Sequence, residues 1–329
     1  IVRIVLSGHA EMETALRAVP VAHQFLSKPS EPGTIEEVVE RACNLQSLIG
    51  DELVQKAIGR IDKLPTSPHV YNQLVAALTK EDTSVESVAK ILHGDMAMCA
   101  KILQMVNSAF FRLSRKIVKI EEAVGYLGFN TIKHVVLAVE VFQNSTRRTN
   151  PPLGLQVLQQ HALAVANLSA SFFKEKQQMD DAFVAGLLHD IGKLVMLTEL
   201  PETVEKVFFE IRTSNSPVHV AEMKVLGVTH AEMGAYLLGL WGLPYPVVEA
   251  VANHHAVERV ESSEFGLLAA THIADNLVNE IAWQKYGRGY ATSAPPAGLN
   301  QAYIDRLGVA NDIKHWRALA QKQADETTQ

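Results

Sequence analysis

Cysteine is nearly absent: Cys43 and Cys99 are the only two in 329 residues. Two thiols cannot frame a disulfide-rich secreted fold, so a reducing compartment, the cytoplasm, is expected. Long apolar runs are absent too. "VVLAV" is cut by Glu140 and "FVAGLL" by His189-Asp190, which excludes a membrane-spanning helix there. The opening residues do not read as a signal peptide. An excess of positive charge is also lacking. The net charge of −6 counts against a general nucleic-acid or anionic-membrane surface, so neither partner is expected. Repeats and low-complexity tracts are missing. What is present is a 47% hydrophobic, 20% charged composition, suited to globular domains with real cores. The length allows two or three domains.

The first fifty residues read as an α/β piece. "VRIVLSG" is rich in β-branched residues and stops at Gly8, as a buried strand does. Residues 10–19 suit a short helix, and "HQFLSKP" a second strand ended by Pro29. Thr34-Ile35-Glu36-Glu37 forms a capping box, predicting a helix from near Ile35 past Ser47. Strand-helix-strand at this spacing gives a parallel pair. Two strands do not stand alone, so further strands or another element must cover the edge. The ordered set Ser7, Phe25 and Lys28-Pro29 resembles the last third of a two-component receiver domain. The resemblance implies that Ser7 and Lys28 contact an aspartyl phosphate and that Phe25 is the switch aromatic. The phosphorylated aspartate of that family is not among these residues, so this stretch would not itself accept a phosphoryl group.

The middle of the chain reads as helical. A connecting helix is expected from about Leu45 to Leu64. Ser67-Pro68 places a cap before a first-turn proline, and Thr83-Ser84-Val85-Glu86 is another capping box. Asp95 is expected to cap a helix through Val106, and Asn130 one through Phe142. "EEAVGYLGFNTIKHVVLAV" has a passing helix-turn-helix look. Its second helix is too apolar to expose polar groups to base edges. The basic run Arg112, Arg115, Lys116 and Lys119 reads as a solvated loop.

Beyond the proline-containing loop at 144–154, histidine and aspartate recur on successive helical stretches. His161 lies in an amphipathic helix. His189-Asp190 interrupts "GLLHDIGKLV", on a helix that Asp180 is expected to cap. Thr229-His230-Ala231-Glu232 is a capping box that puts His230 in a first turn, and Gly234 would admit a close helix neighbour. His254-His255 ends "VVEAVANHH", and Asp275 lies in "ATHIADNLV". Imidazole and carboxylate together suit divalent iron, manganese, zinc or nickel rather than a thiolate site. A helical bundle can project such ligands inward. His189 and Asp190 would point about 100° apart on a helix, so the carboxylate could bridge to a second ion. Lys193 shares their face and could contact a phosphate or pair with Asp190. Blander readings stand beside these. A single histidine on an apolar face is ordinarily a hydrogen-bonded core residue. His189-Asp190 could serve Lys193 alone, and His254-His255 could cap a helix C-terminus.

The order His161, His189-Asp190, Asp275 resembles the HD superfamily of metal-dependent phosphohydrolases, which implies these four as ligands of a first metal. His230, His254 and His255 fall where HD-GYP phosphodiesterases hold a second. The chain continues "HHAVERVESSEFG" and lacks the acidic-glycine and Gly-Tyr-Pro signature of those enzymes. A longer resemblance, over about 58–280, is to the HDOD domain, the HD-related output domain of bacterial signalling proteins. "LPTSPHVYNQL", "VNSAFF", "IEEAVGYLG", "GLLHDIGKLV", "LGVTHAEMGAYLL" and "WGLPYPVVEAVANHH" carry it in order. It implies a mainly α, HD-like fold acting through protein contacts, to which the first fifty residues add a small N-terminal α/β segment.

The expected organisation is a partial receiver-like segment and connecting helix at 1–50, an N-terminal helical lobe at 51–145 and an HD-type lobe at 146–285. A loop, a short helix and a disordered polar end would fill 286–329. The expected function is cytoplasmic two-component signal output, with signalling proteins as partners. A sensor histidine kinase would act through a complete receiver, and a homodimer is possible in such outputs. The alternative is a metal-dependent phosphohydrolase acting on a nucleotide or cyclic dinucleotide, with one or two divalent metals and Lys193 on the phosphate.

Overall fold

A computed structural model of the chain describes residues 3–7, 24–28, 64–80, 82–108, 111, 113, 115–143, 154–286 and 296–326, with single positions at 33, 35, 36 and 39. The helices expected at 10–19, from Ile35 onward and at 45–64 lie wholly or mostly outside these residues, as does Arg112. The chain divides into two compact units, one of residues 1–151 and 236–245, the other of residues 152–235 and 246–329.

In the first unit, β1 (Ile4–Ser7) and β2 (Gln24–Ser27) pair in parallel, with Ile4 opposite Gln24 and Ser7 opposite Ser27. Phe25 lies within β2, and Lys28 follows it, exposed. Gln24 is buried and donates its side-chain N–H to the Leu240 carbonyl at 2.6 Å. Helices follow at α1 (Pro68–Leu78), α2 (Val85–Leu92), α3 (Met96–Val106) and α4 (Ile120–Gln143). Every residue of α3 is buried, as its all-round apolar sequence requires. Its one cation, Lys101, lies 4.7 Å over the Trp241 ring and donates to Gln104 at 3.1 Å. Asp95 caps α3 as expected, accepting from Met98 N–H at 2.9 Å, and its other oxygen accepts from Ser67 N–H at 2.7 Å. One carboxylate thereby ties the start of α1 to the start of α3. The cap of α2 is Ser84, which accepts from Ser87 N–H; the box expected one residue earlier, at Thr83, does not form.

Helix α4 breaks at Gly128, where φ is 75° and ψ 157°. Beyond the break Ile132, Val135 and Val136 are buried, so the face a DNA-reading helix would expose is core. Arg115 pairs with Glu122, and Lys116 donates to the Asn107 carbonyl at 2.8 Å, so part of the basic run is engaged within the unit. Gly128 holds a backbone conformation open essentially to glycine alone. A Cβ there would meet nothing within 4 Å, so the strain is all in the backbone. Gly128→Ala is expected to cost about 1–3 kcal/mol, read as a lower denaturant midpoint with unchanged m-value. An unchanged midpoint would mean that the break tolerates a side chain.

The second unit contains α5 (Leu155–Ala170), α6 (Lys176–Leu188), α7 (Ile191–Glu199), α8 (Pro201–Ser214) and α9 (Val218–Leu226). It continues through the start of α10 (His230–Leu240), α11 (Tyr245–Asn253), a 3-10 turn (Val257–Arg259), α12 (Leu267–Tyr286), α13 (Gln301–Leu307) and α14 (Ile313–Glu326). Helix α6 begins at Lys176, so Asp180 lies inside it and does not cap it. The polar end expected to be disordered, 323–329, is helical as far as Glu326, and 327–329 lie outside the described residues. Helix α14 runs to Glu326 and sets Ile313, Trp316 and Ala320 into a core with Val165, Leu168, Ile273 and Leu277. The Trp316 ring lies 4.3 Å from that of Phe172. The helix is mostly polar, and Trp316 with a few apolar neighbours carries the docking. Among the described residues, no helix is long and apolar enough to cross a membrane.

Candidate metal centre

Two backbone crossings without intervening side chains assemble the site. At Gly186 on α6, an added Cβ would fall 2.8 Å from Ala166 Cα and 2.7 Å from Ser169 Oγ on α5. This brings His161 of α5 beside His189, just past the end of α6. At Gly192 on α7, an added Cβ would fall 1.9 Å from the His230 carbonyl oxygen and 2.8 Å from Gly234 N. The close neighbour expected for Gly234 is thus Gly192, and their contact sets His230 against Asp190. The Thr229–Glu232 capping box forms reciprocally, with Thr229 N–H donating to Glu232 at 2.9 Å and Glu232 N–H to Thr229 Oγ1 at 3.2 Å. It fixes His230 as the first residue of α10.

All seven proposed ligand residues come together. Asp275 Oδ1 lies 3.1 Å from His161 Nε2 and 3.5 Å from His189 Nε2. Asp190 Oδ2 lies 3.3 Å from His189 Nε2 and 3.7 Å from His161 Nε2, and Oδ1 lies 3.1 Å from His230 Nε2. His255 Nδ1 is 3.9 Å from Asp275 Oδ2. Three overlapping groups have donor atoms within 4.8 Å of one another: His161, His189 and Asp275; His189, Asp190 and His254; His230, His254 and His255. His189 and Asp190 occupy the break between α6 and α7, not one continuous helix as expected. Lys193 still reaches back one turn, its Nζ 2.7 Å from Asp190 Oδ2.

The outer contacts choose the tautomers. His189 Nδ1 lies 2.6 Å from the Gly186 carbonyl, His254 Nδ1 lies 2.8 Å from the Val251 carbonyl, and His230 Nδ1 lies 2.6 Å from Glu222 Oε2. Each of these acceptors takes an Nδ1–H, which turns Nε2 inward and makes it the ligating nitrogen of the neutral ring. His189 Nε2, His230 Nε2, His254 Nε2, His255 Nδ1 and Asp190 Oδ1 are then buried polar atoms with no hydrogen-bond partner. The His230–Asp190 approach is close but not aligned as a hydrogen bond. Orphaned buried donors and acceptors are rare because each costs about 1–3 kcal/mol. Five converging in one place fit a bound cation and nothing apolar.

Charge agrees. Burial opposes ionisation of His189, yet Asp190 beside it and then Asp275 outweigh that and raise the imidazole to about 10. Burial likewise opposes a charged His230, but Glu222 raises it on balance. Asp190 is held well below the usual carboxylate range, against its burial, by His189 and then Lys193. Asp275 is depressed too, against its burial, by the hydrogen bond from His161 and by the nearby His189 imidazole. His254 and His255 are pushed well below the ordinary imidazole value by burial and then by neighbouring imidazoles. Without metal, the buried carboxylates recruit protons onto His189 and His230 in place of a cation.

A sign follows for the metal-free protein. The His189 contribution is complete below the ordinary value of 6.5 and is lost as pH climbs toward about 10. The aspartate contributions are lost as pH falls below 3.8. Thermal melts of metal-free protein should therefore drop by several degrees between neutral and alkaline pH. Bound metal should remove that alkaline loss. A flat alkaline limb without metal would contradict the assignment.

Two residues of α9 escape sequence reasoning. Glu222, 1% exposed, accepts from both the backbone N–H and Nδ1 of His230. His219 stacks on His255. The available signal is faint: a glutamate on the apolar side of a short helix, beside Ala221. His272 is the opposite case. Its Nδ1 lies 2.7 Å from the His254 carbonyl and its Nε2 accepts from Asn300 N–H at 3.3 Å, so both nitrogens are satisfied in the core.

Comparison with known proteins agrees with this architecture. The chain is 27% identical to an uncharacterised protein of Treponema pallidum over 246 residues, 74% of this chain and 46% of that protein. It is 33% identical to YuxH of Bacillus subtilis over 85 residues, 26% of this chain and 20% of that one. It therefore spans less than half the length of these relatives. Among solved structures, the MmoQ response regulator of Methylococcus capsulatus shares the fold with a TM-score of 0.59 at 19% identity, over 79% of this chain and 99% of that one. A virulence factor of Campylobacter jejuni does so with a TM-score of 0.59 at 18% identity, over 84% of this chain and all of that one. The HDOD domain pattern matches from residue 64 to residue 257, beginning after the strand pair and taking in every proposed ligand except Asp275. With more than half of its length in that match, the chain belongs to the HDOD domain family.

Proposed function

We propose that this chain is a signal-output module organised around a divalent-metal centre. In this reading His161, His189, Asp190 and Asp275 hold one ion, and His230, His254 and His255 hold a second, with Asp190 shared. The observation that carries it is the convergence of five buried, unpartnered donor and acceptor atoms. The nitrogen and oxygen donors suit iron, manganese, zinc or nickel. The signalling part draws support from the response-regulator description of MmoQ, which shares the fold. It draws support too from the parallel pair β1–β2, where Ser7, Phe25 and Lys28 would be the receiver's phosphate and switch positions. The module would act in the cytoplasm by contacting signalling proteins, with a sensor histidine kinase acting through a complete receiver and pairing of two copies as its assembled form.

A second reading, metal-dependent phosphohydrolase, is favoured by Lys193. Its ammonium sits 2.7 Å from the shared carboxylate while its side chain is 17% exposed, so it can reach a phosphate oxygen at the site's edge. Bound metal would polarise the phosphoryl group and lower the pKa of a water. Lys193 would neutralise phosphate charge, and Asp190 would hold it in place. The stretch after His254-His255 carries no acidic-glycine or Gly-Tyr-Pro signature, which weighs against cyclic-di-GMP.

Elemental analysis of untagged protein tests the shared premise. One or two metals per chain after incubation with iron or manganese would support it, and none would overturn it. Metal-loaded protein should then be assayed on phosphomonoesters, nucleotides and cyclic dinucleotides. Metal-dependent turnover lost in Lys193→Ala would favour the hydrolase, and metal without turnover the signalling module.

A further inference from the structure

We infer that His219 is a positioning residue for the second ion, holding the plane of the His255 imidazole by stacking on it. The inference rests on the metal-centre reading above. The two rings lie 4.4 Å apart between centroids and 16° from parallel. His255 needs such support more than its neighbours do. His189, His230 and His254 each have Nδ1 against a carbonyl or carboxylate oxygen, which fixes ring orientation. His255 Nδ1 has no hydrogen-bond partner. Its side chain is 12% exposed, the most open imidazole facing the two carboxylates, where His161 is 5% exposed and His189 and His230 are fully enclosed.

The torsion that turns an imidazole is broad, so packing must set it where hydrogen bonds do not. A large rotation of His255 would drive its edge into the face of His219. His254, tilted 45° at 4.0 Å, confines the ring further. Helix α9 thus acts on the same three-histidine group twice. Glu222 orients His230 by hydrogen bonding and His219, one turn earlier on the same side, orients His255 by stacking.

The test compares wild type, His219→Ala and His219→Phe, each stripped of metal and titrated with cobalt(II). Calorimetry and the visible cobalt spectrum give the readout, with a thermal melt as folding check. Wild type is expected to show two sites. His219→Ala should keep one and weaken the other about tenfold, as losing an outer-sphere partner does. His219→Phe, which keeps a stacked ring without nitrogen, should stay within about twofold of wild type. Should the alanine variant not fold, His219→Leu fills the space without a planar face, with the same weakening expected. Wild-type affinity in the alanine or leucine variant would overturn the inference. So would equal weakening in the phenylalanine variant, which would make the nitrogen, not the stack, the active feature. Wild type that binds no cobalt at either site would instead overturn the metal-centre reading, before any variant is compared.

Discussion

Asp190→Ala is expected to abolish binding of both metals while leaving the chain folded. Its two oxygens serve different neighbours. Oδ2 faces His189, His161 and Lys193, at 3.3, 3.7 and 2.7 Å, and Oδ1 faces His230 at 3.1 Å. Alanine therefore removes a carboxylate that faces both halves of the cluster, together with its negative charge. It also strands the Lys193 ammonium. Breaking a buried pair from one side costs about 3–5 kcal/mol, but Lys193 is 17% exposed and can turn toward water, so the loss should fall below that range. Asp190→Asn separates the two effects. It keeps volume and shape but lacks the charge, so metal content should fall toward zero with a smaller drop in melting temperature. Either variant retaining two metals would remove Asp190 from the site.

Gly192→Ala is expected to be as damaging through geometry alone. The new methyl would lie 1.9 Å from the His230 carbonyl oxygen and 2.8 Å from Gly234 N. Both obstacles are backbone, so no side chain can rotate away; α7 and α10 must part. Overpacking a tight site costs about 1–3 kcal/mol, and this collision belongs at or above the top of that range. The separation also carries His230 away from Asp190, so metal affinity should fall with stability. Gly186→Ala meets Ser169 Oγ, which can move, as well as Ala166 Cα, and should be milder. Gly128→Ala supplies the control. It strains the first unit, far in sequence from every proposed ligand, and should lower stability with no change in metal content. If Gly192→Ala matched wild type in both measurements, the crossing would be looser than these distances require.

How much of this was legible beforehand differs from residue to residue. The parallel strands, the cap at Asp95, the capping box at Thr229 and the small residue at Gly234 all rest on local chemistry, and local chemistry is written in consecutive residues. The seven candidate ligands could be named because their order along the chain resembles a known pattern, although no single histidine distinguishes itself. His272 shows the limit. It sits three residues before Asp275 on one helix face, yet it is a satisfied core histidine. Its partners, His254 and Asn300, are distant in sequence, and only their approach reveals that both nitrogens are used.

The amino-acid sequence by itself determined that this is a mainly helical, cysteine-poor chain with a His/Asp set in HD order, because composition, periodicity and capping act over a few residues. The tertiary structure alone decided the rest. It placed His189-Asp190 at a helix break, turned five ligand atoms inward without partners, and brought Glu222 and His219 of α9 against His230 and His255. It also made α14 part of the core through Trp316. The physical reason is common to all of these. Periodicity tells which face of a helix is buried but not what it is buried against, and the cost of burying a polar atom depends on whether a partner is there to meet it.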